Sequence, residues 1–100
     1  MRSCATPAQI KAVDGWLLHC FPGCTVESED DFARSLRMFR VDGPNSLPVA
    51  NLEIHAETFL DETGQEIAAH LTAGQYWDQL VKAGLHAVLL DPPPLVPVKR

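Results

Sequence analysis

The stretch from Val49 to Asp91 constrains the fold of this chain more than any other, because it divides almost without remainder into strand, tight turn, strand, capped helix and short strand. From Leu52 to Leu60 the apolar residues Leu52, Ile54, Ala56 and Leu60 alternate with Glu53, His55, Glu57 and Phe59. Alternation of this kind predicts a strand with one face buried. Asp61-Glu62-Thr63-Gly64 reads as a turn, in which Gly64 would take the positive φ that a side chain resists. Gln65 to Leu71 then returns as a second strand, with Ile67, Ala69 and Leu71 on one face. If both apolar rows meet one core, Ala56 pairs near Ala69 and Ile54 near Leu71, which sets His55 opposite His70.

Flanking segments complete a small domain. Thr72 followed by Gln75 has the spacing of a capping box and Gly84 supplies a stop, so a helix is expected over 73–83 with Tyr76, Trp77, Leu80 and Val81 inward. His86 to Leu90 fits a final strand. Near the start, Thr6, Pro7 and Gln9 give a cap, a first-turn proline and a capping-box glutamine. Ile10, Val13, Trp16, Leu17 and Cys20 form the stripe of that first helix, which Phe21-Pro22-Gly23 ends. Cys24 to Ser28 and Ser35 to Val41 are expected strands, and Asp42 to Pro48 the loop that follows. The predicted class is α+β, one domain over 1–91 in the order α-β-β-β-β-α-β, with a mostly antiparallel sheet and both helices on one face. Residues 92–100 form a proline-rich tail, Pro92-Pro93-Pro94 through Arg100, which cannot continue a strand and is expected to be extended. Such a tail suits a proline-binding groove.

Charge argues against nucleic acid as a partner. The net charge is -5, and Glu27, Glu29, Asp30 and Asp31 form the densest run, so phosphates would be repelled on average. The order of elements superficially resembles that of double-stranded-RNA-binding domains. Those domains grip phosphates with lysines at the start of their second helix, where this chain has Thr72-Ala73-Gly74-Gln75. The acidic run reads as a solvated turn or as a surface for a basic protein. No apolar run reaches the length of a membrane span and the start lacks a secretory layout, so the expectation is a soluble, cytoplasmic protein that does not engage membranes.

Catalytic and metal signatures are sparse. Cys20, Cys24 and His19 are adjacent soft ligands, but a structural zinc site needs a second pair of ligands, so buried thiols are expected. Three cysteines, an odd count, disfavour a disulfide framework. His55-Ala56-Glu57 matches part of the zinc deaminase signature, whose downstream cysteine pair is missing. No serine sits in a nucleophile elbow, and no cofactor is called for. What remains is the outer face of the expected hairpin, where Glu53, His55, Glu57 and His70 would gather as candidate metal ligands or proton carriers. Phe59, with Phe39 on the neighbouring strand, would give that face an aromatic interface. Two functions follow. One is a non-enzymatic interaction module, of adaptor, inhibitor or immunity type, that binds a protein or a second copy of itself through an open sheet face or edge. The other is a small metal-binding protein or enzyme built on the His/Glu cluster.

Overall fold

A computed structural model describes residues 4–90, from Cys4 to Leu90. The chain forms α1 (Pro7–Cys20), β1 (Thr25–Asp31), β2 (Leu36–Asp42), β3 (Pro48–His55), α2 (Ala56–Asp61), α3 (Gly64–Ala73), α4 (Tyr76–Ala83) and β4 (Ala87–Leu90). The four strands lie side by side in the order β1-β2-β3-β4. The first three form an antiparallel meander, and β4 joins β3 in parallel, with Leu52 opposite Val88 and Ile54 opposite Leu90. A parallel neighbour requires the chain to return to the same end of the sheet, and the three helices between β3 and β4 make that crossover. The predicted α+β class, with a mostly antiparallel sheet and helices packed against it, holds. The expected tail at 92–100 lies outside the described residues.

The first helix starts as its sequence dictates. The Thr6 side chain accepts from the Gln9 backbone N–H at 3.2 Å, and Gln9 Oε1 accepts from the Thr6 N–H at 2.9 Å. Gln9 also does something its position alone does not announce. It is buried, and its side-chain amide donates to the Phe59 and Glu62 carbonyls at 2.6 and 2.7 Å, tying α1 to the end of α2.

Between His55 and Gly84 the structure corrects the expected hairpin. The strand ends at His55, and the period of two gives way to helix. Phe59 is buried while Leu60 is 82 % exposed, the reverse of what continued alternation would give, and Thr58 beside it is buried as well. The segment 65–71 is part of α3 and not a strand. Ile67 and Leu71, both fully buried, are one helical turn apart, so they satisfy a spacing of four as well as the spacing of two read from the sequence. The cap that settles the matter is Thr63, which exchanges hydrogen bonds with Glu66 in a capping box. Gly64 does not adopt positive φ. A Cβ there would stand 2.8 Å from the Ala12 Cβ and 3.2 Å from the Ala8 carbonyl oxygen, so glycine is needed for the close approach of α1 and α3. The expected single helix over 73–83 is two helices, broken where Gln75 takes φ 56°. Thr72 does not cap; its hydroxyl donates back to the Ala68 carbonyl at 3.0 Å. Gly84, at φ 61°, ends α4 as predicted.

One face of the sheet carries the core. Phe39, Val41, Ala50, Leu52, Ile54 and Leu90 meet Val13 and Leu17 of α1, Phe59 of α2, Ile67 and Leu71 of α3, and Tyr76 and Leu80 of α4. Trp77 and Val81, expected inward, are 48 % and 55 % exposed, because α4 turns only its Tyr76–Leu80 stripe to the sheet.

Candidate functional site: the open face of the sheet

Strand parity builds the opposite face. Phe39 pairs with Leu52 and both are buried, so the side chains flanking them on β2 and β3 point away from the helices. The outward row contains Glu27, Glu29 and Asp31 on β1, Met38, Arg40 and Asp42 on β2, Asn51, Glu53 and His55 on β3, and Leu89 on β4. The acidic run that reads as a turn in the sequence is therefore strand. Its alternation sends Glu27, Glu29 and Asp31 outward and Ser28 and Asp30 inward.

Arg34, in the β1–β2 turn, and Arg40 order this surface. Arg34 bridges Asp31 and Glu53, each at 2.8 Å, across the width of the three-stranded meander. Arg40 meets Asp42 through two nitrogens at 3.0 and 3.1 Å and reaches Glu27 at 3.1 Å. The Arg34 guanidinium holds the Asp31 carboxyl below the usual carboxylate range, chiefly through its hydrogen bond. Both arginines are in turn held above their ordinary range by their carboxylate partners, first Asp31 for Arg34 and Asp42 for Arg40. Five carboxylates, Glu27, Glu29, Asp31, Asp42 and Glu53, thus stand against two guanidiniums, and Glu29 enters no ion pair among the described residues. In each of these ion pairs the guanidinium side chain is about half exposed, and such pairs add little stability each. Their effect is to fix a preorganised, net-negative plate.

The His/Glu cluster does not assemble. Glu53 is engaged by Arg34, His55 ends β3 at the N-cap of α2, Glu57 is exposed on α2, and His70 lies on α3. Since 65–71 is helical, no strand pairing sets His55 opposite His70. The neighbours of His70 are Glu62, with Nδ1 3.7 Å from its Oε2, and the edge of the Tyr76 ring. Among the described residues no three histidine, cysteine or acidic side chains gather as a metal would require. Phe39 and Phe59 are 1 % and 5 % exposed, so neither offers an interface; Phe39 faces the helices by parity, and Phe59 is turned inward by the start of α2.

Sequence reasoning missed an inward-facing charged group. Arg37 pairs with Asp30 at 3.0 Å, both side chains nearly buried, donates to the Ser28 hydroxyl at 2.8 Å, and lies 5.8 Å from the centre of the Phe39 ring. The Cys4 thiol donates to Asp30 at 3.1 Å and is pushed up to about 11 by burial and by that carboxylate. Burial also raises the Cys20 thiol, and all three cysteines are free. Cys4 and Cys20 are therefore poor nucleophiles. The signal for Arg37 was the odd position it shares with Phe39 and Val41 on one strand.

No described helix is long and apolar enough to cross a membrane. No family model, no curated protein and no solved structure matches this chain.

Proposed function

We propose that this chain is a small acidic, non-enzymatic interaction module whose open sheet face receives a basic segment of a partner protein. The observation that supports this reading most is the division of the sheet: four helices share one face, while the other carries five carboxylates held in register by Arg34 and Arg40. A preorganised negative surface attracts and orients a cationic partner and repels nucleic acid and a second copy of itself. A homodimer through this face is accordingly disfavoured, and Phe39 and Phe59, which would have motivated one, are buried. The reading as a metal-binding protein or enzyme loses its support, because the pairing of His55 with His70 on which it depended does not form.

The test is affinity capture from the source cells with the wild type, with Glu27→Lys/Glu29→Lys on the open face, and with Trp77→Ala on the helical side as a control. The expected result is a partner retained by the wild type and the control, released by moderate salt, and lost on charge reversal. Capture indifferent to charge reversal would refute the assignment of the face.

A further inference from the structure

On the helical side a groove of about 560 Å³ lies between the end of α1 and the α3–α4 turn, lined by Trp16 of α1, Leu71 of α3, and Trp77 and Asp78 of α4 among others. Its volume is that of a small-molecule site. Both tryptophans of the chain line it. The break at Gln75, whose φ of 56° begins α4 anew, leaves Trp77 outside the buried Tyr76–Leu80 stripe and half exposed at the groove.

The polar groups of the lining decide what it can hold. The Trp16 indole N–H, the only donor of that side chain, is spent on the Thr72 hydroxyl at 3.0 Å, and that hydroxyl spends its own proton on the Ala68 carbonyl at 3.0 Å. The Cys20 thiol, pushed up by burial, keeps its proton and is a weak donor. Asp78 offers acceptors alone and enters no ion pair among the described residues. No lysine or arginine lines the groove, and His19 is the one lining residue that protonation can make cationic. An anion would meet a carboxylate and few donors, those of Gln75 and His19. A cation meets two indoles and an uncommitted negative charge, and indole is the aromatic side chain that attracts cations most strongly. A primary ammonium brings three N–H groups that need acceptors, and a quaternary ammonium brings none. The second suits walls built from Trp16, Cys20, Leu71 and Trp77.

We propose that the Trp16–Trp77 groove binds a small organic cation of the quaternary-ammonium class, its charged head against the two indoles and Asp78 its counter-charge. The groove is built by the helices and the acidic plate occupies the opposite face of the sheet, so this site and the function proposed above stand or fall separately.

Tryptophan fluorescence of the full chain tests it, since both indoles report on the groove and no other tryptophan adds background. Choline is titrated beside the neutral neohexyl alcohol in which carbon replaces the charged nitrogen, at about pH 8, above the ordinary histidine range, with sodium chloride holding the ionic strength constant. Choline should give a saturable change, and the alcohol should bind at least about tenfold more weakly, the scale of a desolvated cation–π contact. Asp78→Asn should weaken choline and leave the alcohol unchanged. Trp77→Ala should abolish choline binding in calorimetry while far-ultraviolet circular dichroism stays that of the wild type. Equal affinity for choline and the alcohol, or choline binding undiminished in both variants, would overturn the cation site, and the lack of a saturable response to choline would do the same. Tighter binding of a trimethyllysine peptide than of choline would overturn the assignment to a small molecule.

Discussion

The two faces of the sheet share one backbone and differ only in parity, yet they have opposite properties. On the inner face Phe39, Val41, Ala50, Leu52 and Ile54 are at most 1 % exposed and packed by helices. On the outer face Arg34 holds Asp31 and Glu53, and Arg40 holds Glu27 and Asp42, through charge at the rim of water. Burial of apolar area stabilises in proportion to the area removed from water, whereas exposed ion pairs contribute little. Stability therefore resides on one face, and the other is free to be specialised for recognition without unfolding the domain.

The largest expected effect breaks this comparison if it fails. Phe39→Ala should cost about 3–5 kcal/mol, while Glu53→Ala, which removes a partner of Arg34, should cost no more than about 1 kcal/mol. Urea unfolding of both variants measures the contrast; similar losses would mean that the outer face also bears load. A smaller contrast sharpens the helical side. Gly64→Ala drives a methyl against Ala12 and the Ala8 carbonyl and should cost about 1–3 kcal/mol, whereas Gly15→Ala, with nothing within 4 Å of the added carbon, should stabilise by up to about 1 kcal/mol. Opposite signs in thermal unfolding would confirm that α1 meets α3 through Gly64.

The smallest effect is a pH dependence on the helical side. Burial raises the Asp14 carboxyl above the usual carboxylate range, and Arg37 offsets part of that rise. The folded form then binds this proton more tightly than the unfolded chain does. Its contribution to stability falls as pH rises from the ordinary aspartate range through the folded value and stays low above it. Asp14→Asn should therefore gain stability over the wild type at neutral pH and lose that gain in acid. Denaturation midpoints at about pH 7 and about pH 3, the second below the ordinary aspartate range, measure it; a gain equal at both would remove titration of Asp14 as the cause.

The parts of the fold legible in sequence are those whose cause is local. The Thr6-Pro7-Gln9 start of α1, the Gly84 stop, the alternation of Leu52 and Ile54, and the final strand at Ala87–Leu90 each rest on residues a few positions apart. The site was legible only in outline. That the domain has an open polar sheet face followed from its one-sided apolar pattern. Its membership was misassigned because His70 was placed on a strand, and because the acidic run was taken for a turn when its alternation on β1 is what makes it a surface.

By itself, then, the sequence determined an acidic α+β domain with one buried sheet face and a capped first helix, since caps, turns and periodicity act within a few residues. Only the tertiary structure decided the segment 56–73. There Ile67 and Leu71 satisfy a strand and a helix equally well. The choice fell to contacts distant in sequence: Gln9 binding the Phe59 and Glu62 carbonyls, and Gly64 admitting α1 at a separation that no larger residue permits.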